Sequence, residues 1–415
     1  MVVLKSSDDT SAPGDDVKFQ QIVVDNKAYH HKLKDVCPEV IHYAPSSHGR
    51  SAFVLSSKQH LEGIVDLESS SGAPIENIVC CLGGISLHSA HTYCYYQLSK
   101  RILEMDKDYV GECLNEERNP TTEHTSRGFH DDNLAILRYE AYGRGKSSNP
   151  NHDQNRELFV GQLKELLDYV LSKPVVKKNC KITVLGFSMG GCLATQFTHT
   201  HPDMVDALIL FSPAGGVWKL PTGAGLIKLP FLGSLLYNAV DSSQTYEQKM
   251  EVDLFDMKND ITQQRLKFAL EMKEQEDHDV LTKSFLNSYK HFPLNDSKNE
   301  IEHVASMNKN TLIIWAMFDT TVPSDECFPQ FHTPFSKNDK AQYVLLNNTK
   351  HLFFMEREED TARIVHNFIR RDCEVYRPLL HQVTPQELKK EICSADDLKK
   401  YEFFHSNQDY KQYIV

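Results

Sequence analysis

Six short, continuously apolar segments rich in β-branched residues constrain the fold of this chain more than any other feature. They are Ile78-Val-Cys-Cys-Leu82, Leu134-Ala-Ile-Leu-Arg138, Ile182-Thr-Val-Leu185, Ala207-Leu-Ile-Leu-Phe211, Leu312-Ile-Ile-Trp-Ala316 and Tyr343-Val-Leu-Leu346. Strands that are apolar on both faces belong in a parallel sheet with helices on each side. We therefore interpret the segments as strands of an α/β protein with a mostly parallel, doubly wound sheet.

Amphipathic patterns between and after these segments predict the covering helices. One stripe comprises Phe159, Leu163, Leu166, Leu167, Val170 and Leu171, and a late one comprises Ile364, Val365, Phe368 and Ile369. A further helix pattern runs from Cys192 to Phe197. Before the first strand, two short apolar runs at 52–55 and 63–67 indicate a hairpin.

The chain is longer than one compact unit usually needs, so we expect additions to a core. We assign residues 1–50 to an N-terminal extension, 51–215 and 306–371 to the core, 216–305 to an inserted helical cap and 372–415 to a C-terminal tail. The charged stretch at 106–133 is a smaller insertion. The insertion at 216–305 is far longer than an ordinary connection, and we interpret it as a lid over one edge of the sheet.

The net charge of -12 disfavours nucleic acid as a partner, because an acidic surface repels phosphate groups. The N-terminal residues lack the apolar run of a signal peptide, and no apolar stretch is long enough to span a bilayer. The ten cysteines follow no regular framework, which is typical of a reducing compartment. We expect a cytoplasmic location, and no obligate protein partner is evident.

The motif that carries chemistry is Gly186-Phe-Ser188-Met-Gly190-Gly191, which follows one predicted strand and precedes one predicted helix. A serine on such a sharp turn exposes its hydroxyl group, and the glycines let strand and helix approach closely. Ser188 is therefore the candidate nucleophile.

A serine nucleophile needs a base, and the base needs a carboxylate that orients it. In a strand-turn-helix hydrolase these follow in the order Ser, acid, His, each after a strand. Asp319 and His351 stand in those positions. Asp325 and His332 are the second choices, because Asp325 lies past Pro323 and no strand precedes His332.

Stabilising the oxyanion of the reaction requires backbone N–H donors beside the nucleophile. We expect one donor to be the N–H of Met189, directly after Ser188. The turn Leu82-Gly83-Gly84-Ile85 follows an early strand, and we expect the second donor to be the N–H of Gly84.

With these sites in place, the chain resembles the α/β-hydrolase superfamily. The resemblance rests on Leu82-Gly-Gly84, Glu140-x-Tyr-Gly-Arg-Gly-Lys-Ser147, the Ser188 turn, Phe211-Ser-Pro-Ala-Gly215, and the Asp319 and His351 sites. Within the superfamily it is similar to lipases and esterases such as monoacylglycerol lipases. It departs from the family pattern at Leu82-Gly83, where His-Gly is usual, and at Glu140, where Asp is usual. The resemblance implies the α/β-hydrolase fold, and we expect the Glu140 turn to be structural.

Two other motifs resemble binding sites but lack residues that those sites need. Gly143-Arg-Gly-Lys-Ser147 looks like the end of a phosphate-binding loop, but Glu140 stands where that loop needs a glycine. His88 and His91 near Cys94 could suggest a metal site, but no second pair of ligands follows. We therefore expect neither a metal nor another cofactor.

These features predict a serine hydrolase that cleaves a carboxylic ester, either a small molecule or a lipid. The apolar cap run from Leu226 to Tyr237 favours a lipid-like substrate, and so a role in lipid metabolism. The same run leaves open peripheral membrane contact, or plain packing of the cap on the core. Acyl transfer, thioester cleavage and C–C bond hydrolysis remain open on the same three residues. An inactive binding protein on a hydrolase scaffold is the alternative from another class.

Overall fold

A single sheet built from the described strands organises the chain. The structure, a computed structural model, describes residues 22–23, 40–57, 65–70, 72–85, 89–105, 133–219, 248, 250–273, 277–370 and 395–415. Its strands are β1 (Ile22–Val23), β2 (Val40–Ser46), β3 (Gly49–Ser57), β4 (Ile75–Leu82), β5 (Leu134–Tyr139), β6 (Val176–Phe187), β7 (Ala207–Phe211), β8 (Asn310–Ala316) and β9 (Ala341–Leu346). They lie in the order β1-β2-β3-β5-β4-β6-β7-β8-β9. The neighbours from β5 to β9 run parallel, and β1, β2, β3 and β5 pair antiparallel.

The parallel strands are buried on both faces, as their composition predicts. In β4, Ile78 and Cys80 belong to one apolar core, whereas Val79 and Cys81 belong to a second core on the opposite face. Successive side chains of a strand point to opposite faces, so both faces of β4 need an apolar cover. All six predicted strand segments are confirmed within β4 to β9.

Helices form a layer on each face of this sheet. They are α1 (Ser89–Glu104), α2 (Arg156–Leu171), α3 (Met189–Thr200), α4 (Asp260–Lys273), α5 (His278–His291), α6 (Lys298–Ser306), α7 (Ser324–Phe335), α8 (Phe353–Glu356), α9 (Glu358–Arg370), α10 (Ala395–Ser406) and α11 (Gln408–Lys411), with a 3-10 turn at Pro202–Met204. Helices α2, α3 and α6 pack together on one face, and α1, α4 and α9 pack together on the other. The three predicted helix patterns are confirmed as α2, α3 and α9, and the doubly wound α/β class is confirmed.

The predicted hairpin between residues 52–55 and 63–67 is wrong. The strand that contains 52–55, β3, pairs with β2 on one side and with β5 on the other. Residues 65–67 lie outside any strand. The apolar run at 52–55 does form a strand, but it pairs with β2 and β5 instead of with the next apolar run in the sequence.

Residues 40–50, which we assigned to the N-terminal extension, belong to the sheet instead. Strand β2 lies entirely within them, and β3 begins at Gly49. Ala44 of β2 is fully buried in the core that also holds Phe53. Most of the remaining extension lies outside the described residues, as does nearly all of the insertion at 106–133.

The long insertion between β7 and β8 contributes helices α4 and α5. Helix α4 packs against α1, and α5 hydrogen-bonds the loop before α2 through Asn287 and Ser284. Helix α6 also falls within the stretch predicted as cap, yet it packs against α3 beside the sheet and leads into β8. The apolar run Leu226 to Tyr237 lies outside the described residues.

The C-terminal residues return to the sheet. Helix α10 packs against α7, and Ile414 forms a parallel bridge with Leu345 of β9. The end of the chain thus lies at the sheet edge opposite to β1. No helix among the described residues combines the length and apolarity needed to cross a lipid bilayer.

Candidate active site

Ser188 occupies a strained turn between β6 and α3. Its backbone has φ 55° and ψ -120°, a positive-φ conformation that non-glycine residues rarely adopt. The Ser188 N–H donates to the carbonyl of Phe211 at 3.0 Å, which ties the turn to the end of β7. Helix α3 begins at the next residue, Met189, so Ser188 lies where a helix N-terminus meets the carboxyl edge of the sheet.

Glycines make this turn possible because neighbouring backbone fills the space of their missing side chains. A Cβ on Gly186 would lie 2.2 Å from the carbonyl oxygen of Gly190, and one on Gly190 would lie 2.2 Å from that of Leu82. A Cβ on Gly191 would lie 2.5 Å from Pro213. The strand, turn and helix therefore pack more closely than any other residue type would allow.

Asp319 and His351 are brought together at the ends of β8 and β9. The His351 Nδ1 atom lies 2.6 Å from Asp319 Oδ2, and both side chains are buried. The other oxygen, Oδ1, accepts hydrogen bonds from the N–H groups of Thr321 and Val322, each at 2.9 Å. These bonds fix the carboxylate, which in turn fixes the imidazole.

The Asp319 carboxylate raises the pKa of His351, because it stabilises the charge of the protonated imidazole. Burial lowers the pKa of His351, but the Asp319 carboxylate opposes this effect and the net shift is upward. An imidazole that can take up a proton while a carboxylate stabilises the resulting charge is suited to general base catalysis.

An aromatic contact places the nucleophile turn beside this pair. The ring of Phe187, directly before Ser188, lies 4.6 Å from the His351 ring, centroid to centroid, and 4.9 Å from that of Phe354. Among the described residues, no hydrogen bond joins Ser188 to His351. Bonds between nucleophile and base often tighten only when substrate binds.

The predicted oxyanion turn also lies at the nucleophile. A Cβ on Gly84 would lie 3.4 Å from Cβ of Ser188 and 3.3 Å from the Phe187 ring. Gly84 and Ser188 are therefore neighbours, although they are far apart in the sequence. Met189 opens α3, and the N–H groups of a first helical turn have no partner within the helix.

Arg144 was missed as part of the site, and it connects the oxyanion turn to the insertion. Its buried guanidinium donates to the carbonyl of Ile85 at 3.3 Å and to the Ser288 hydroxyl of α5 at 2.7 Å. It also donates to Gln154 at 2.6 Å. Burial lowers the pKa of Arg144 to about 9. The signal was the Gly-Arg-Gly-Lys-Ser motif, which the sequence analysis assigns to a structural turn without giving Arg144 a role at the site.

The same motif forms a structural turn around Glu140, as predicted. The Glu140 carboxylate accepts a hydrogen bond from the N–H of Lys146, and its carbonyl accepts one from the Ser147 hydroxyl at 2.6 Å. Gly145 has φ 50°, and a Cβ there would overlap the Glu140 carboxyl group. The carboxylate thus fills the centre of the loop, where a nucleotide phosphate would have to bind.

Asp253 is a second carboxylate near the base, and sequence reasoning missed it. Its Oδ1 accepts from the Thr321 hydroxyl at 2.5 Å, and its carbonyl accepts from the N–H of Leu352 at 2.9 Å. Burial raises the pKa of Asp253, while the neighbouring His351 lowers it. A lone carboxylate in a charged insertion has no motif, so no sequence signal could have identified it.

The two second choices lie elsewhere. Asp325 accepts from Nζ of Lys400 at 2.5 Å, and His332 packs among Tyr343, Tyr410 and Tyr413. Burial lowers the pKa of His332. Asp325 and His332 therefore take no part in the buried pair, which consists of Asp319 and His351.

Metal binding finds no support in the part of the chain that the structure describes. No group of three or more His, Cys, Asp or Glu side chains there could hold a metal ion. His88, part of the motif considered for metal binding, lies outside the described residues.

The chain is similar to known hydrolases. The family model described as serine aminopeptidase, S33, matches residues 117–358. A 2-hydroxy-6-oxononadienedioate/2-hydroxy-6-oxononatrienedioate hydrolase from Pseudomonas putida is 31% identical over 152 residues, covering 35% of this chain and 49% of that protein. A poly(3-hydroxyalkanoate) depolymerase from Ectopseudomonas oleovorans is 30% identical over 91 residues, covering 22% of this chain and 30% of the depolymerase. The chain thus spans less than half the length of both.

Solved structures of hydrolases have a similar fold. The crystal structure of a serine hydrolase from Cycloclasticus zankles superimposes with a TM-score of 0.53 at 15% identity, covering 79% of this chain and 97% of that one. At this identity the likeness concerns the fold. The family match, by contrast, extends over more than half of the 415 residues. The chain therefore belongs to the serine aminopeptidase S33 family and, with it, to the α/β-hydrolase superfamily.

Proposed function

We propose that this protein is a serine hydrolase that cleaves a carboxylic ester through Ser188, Asp319 and His351. The observation that carries the proposal is the 2.6 Å contact between His351 and Asp319 beside the strained Ser188 turn. The stability of the fold alone does not require a buried carboxylate and imidazole beside a serine whose backbone has a positive φ. Such strain is typical of functional sites.

The first half of the reaction acylates the serine. His351 Nε2 takes the proton of the Ser188 hydroxyl as its oxygen attacks the ester carbonyl, and Asp319 stabilises the imidazolium. The N–H groups of Gly84 and Met189 donate to the oxyanion. His351 then gives its proton to the leaving alcohol, and the acyl-enzyme remains.

The second half returns the enzyme to its starting state. Water attacks the acyl carbonyl while His351 takes its proton, and the Ser188 oxygen leaves with the proton that His351 returns. The products are a carboxylic acid and free enzyme.

We further propose a lipid-like ester as substrate. The support is the apolar run Leu226 to Tyr237 in the insertion, which is suited to an acyl chain or to a membrane surface. The similarity to a depolymerase of poly(3-hydroxyalkanoate) fits a substrate that combines ester and alkyl groups. Nucleic acid is not an expected partner of a chain with a net charge of -12.

C–C bond hydrolysis is the second candidate. It is favoured by the 31% identity to the Pseudomonas putida hydrolase of 2-hydroxy-6-oxo acids. The same three residues could serve that reaction, because it also passes through attack on a carbonyl group.

The test starts with a fluorophosphonate probe that labels activated serines. Wild type should be labelled, Ser188→Ala should not, and His351→Ala and Asp319→Asn should be labelled slowly. Ser172→Ala is a matched control, because Ser172 is exposed and its hydroxyl donates to the Tyr169 carbonyl within the same helix end. Folded wild type that resists the probe would contradict the proposal and favour a binding protein.

A substrate panel then separates the chemistries. It contains p-nitrophenyl esters of increasing acyl length, an aminoacyl anilide, an acyl thioester and a 2-hydroxy-6-oxodienoate, each with and without an alcohol acceptor. Highest kcat/KM on a long-chain ester supports the lipid proposal. Preference for the dienoate would replace it with C–C bond hydrolysis, and ester product from the acceptor would indicate acyl transfer.

We also expect a cytoplasmic protein whose insertion touches membranes. Flotation with anionic and neutral vesicles tests the contact, with Leu232→Ser and Leu235→Ser as variants in the apolar run. Equal recovery of wild type and variants in the unbound fraction would contradict membrane contact.

A further inference from the structure

The last described segment of the chain, residues 395–415, contacts both turns that carry the acid and the base. We propose that this C-terminal segment positions the pair, with Lys400 as the positioning residue for Asp319. The inference rests on the proposed function, since it concerns the same site.

On the acid side, Lys400 of α10 binds the turn after β8. Its Nζ donates to the carbonyl oxygen of Asp319 at 2.9 Å and to Oδ1 of Asp325 at 2.5 Å. Only 6% of the Lys400 surface is exposed. A buried ammonium needs partners, because a charge that is buried without them loses its hydration and gains nothing in return. The lysine therefore holds the backbone of the very residue whose carboxylate orients His351.

Among the residues that the structure describes, the other donor to the Asp319 carbonyl is the N–H of Ser324 at 3.2 Å, which belongs to the same turn. Elsewhere the acid turn is held by the N–H of Phe318, which donates to the Thr349 carbonyl at 3.1 Å, and by the Thr321 hydroxyl, which donates to Asp253 at 2.5 Å. Lys400 reaches the turn from 81 residues further along the chain. It thus adds a fixed point from outside the sheet.

On the base side, the chain end pairs with β9. The N–H of Leu345 donates to Tyr413 at 2.7 Å, and the N–H of Val415 donates back to Leu345 at 2.9 Å. The N–H of Asn347, just after the strand, donates to Val415 at 2.9 Å. These bonds fix the start of the turn that leads to His351, on what would otherwise be an open sheet edge.

Both fixed points act on backbone rather than on the reacting atoms. Catalytic groups must be held to within about 0.5 Å of their productive geometry. Because the acid and the base stand on separate turns, a segment that ties down both keeps their separation constant. A positioning role explains why the buried Lys400 donates to the backbone carbonyl of Asp319.

The experiment compares full-length Lys400→Met with Lys399→Met. Lys399 is the next residue on the same helix, is mostly exposed and pairs with Asp396. The double variant Lys400→Met with Asp325→Asn removes both charges and so isolates the lost contact to Asp319 from any uncompensated charge. Active sites are titrated with the fluorophosphonate probe, and kcat and KM are measured per titrated site.

We expect Lys400→Met and the double variant to lose about 10- to 100-fold in kcat per titrated site, with KM nearly unchanged, because misplacement by about 1 Å can cost that much. Lys399→Met should match wild type. The downfield proton resonance of the His351 to Asp319 hydrogen bond should weaken or shift only in the Lys400 variants.

Unchanged kcat per titrated site, with or without fewer active molecules, would overturn the inference and leave Lys400 a purely structural residue. If Lys400→Met does not fold, deletion of residues 414–415 removes the two hydrogen bonds of Val415 at the base turn, and it should also lower kcat per titrated site. Wild type that neither labels nor turns over would instead overturn the proposed function, and this inference with it.

Discussion

His351 Nδ1 and Asp319 Oδ2 lie 2.6 Å apart, between two side chains that are both buried. Since the carboxylate accepts, Nδ1 carries the proton of this bond. The opposite ring nitrogen, Nε2, is then the one that can accept a proton from a nucleophile. The acid thus selects the imidazole tautomer that the proposed reaction needs.

Replacing the acid tests this relationship. Asp319→Asn should lower kcat by about 10,000-fold while KM changes little, because the amide favours the wrong tautomer and cannot stabilise the imidazolium. Asp325→Asn, at the other candidate acid, should cost far less. Steady-state kinetics on the best ester substrate decides between them. Equal losses in the two variants would show that the acid was assigned wrongly.

The pH dependence of kcat/KM should follow His351. The base must be neutral to act, so activity should rise as pH increases through its pKa. Burial lowers the pKa of His351 and Asp319 raises it, with a net upward shift, so the midpoint of the acidic limb should lie above the ordinary imidazole value of 6.5. In Asp319→Asn the residual activity should show this limb at lower pH. A limb that does not move would argue against His351 as the titrating group.

The central part of the fold could be predicted because its sequence is unambiguous. Strands β4 to β9 contain segments that are apolar on both faces, and few structures other than a covered parallel sheet require such segments. Ser188, Asp319 and His351 follow the ends of β6, β8 and β9 in that order. The edge was harder to predict. Strand β2 includes Pro45 and several partly exposed residues, as edge strands often do, so its sequence lacks that continuous apolar pattern.

The supporting residues could not be predicted, because each depends on a long-range contact. Arg144 meets Ser288 across 144 residues, and Thr321 meets Asp253 across 68. No periodicity or motif encodes these pairs. The pairing of β3 with β5 is of the same kind, since it joins Phe53 to Tyr139 rather than to the nearby run at 63–67.

The glycines of the nucleophile turn should be intolerant of even one methyl group. Gly190→Ala would force a Cβ to within 2.2 Å of the Leu82 carbonyl oxygen, a rigid backbone atom, and should cost about 3 kcal/mol or more of unfolding free energy. Gly161→Ala is the matched control, because Gly161 lies within α2 with nothing within 4 Å of the new Cβ. It should gain about 1 kcal/mol. Urea denaturation measures both, and a stable Gly190→Ala would contradict the close packing.

Glu356 should make stability depend on pH near neutrality. Its Oε1 accepts from the N–H groups of Phe255 and Asp256, which bind the returning insertion to α8. Burial raises the pKa of Glu356 from 4.5 to about 7, although those N–H groups act in the opposite direction. Between these two values the folded protein binds more protons than the unfolded chain. The contribution of Glu356 to the free energy of unfolding therefore falls as pH rises through that window.

Glu356→Gln removes this titration and can still accept both backbone hydrogen bonds. The free energy of unfolding of the variant, relative to wild type, should therefore increase by about 2–3 kcal/mol between pH 5 and pH 8, as a shift of this size implies. Glu402→Gln, at an exposed position of α10, is the control and should show the same difference from wild type at both pH values. Urea denaturation at pH 5, 6, 7 and 8 gives the full curve. A Glu356→Gln difference that stays constant with pH would show that the carboxylate is charged throughout and that its two N–H partners outweigh the effect of burial.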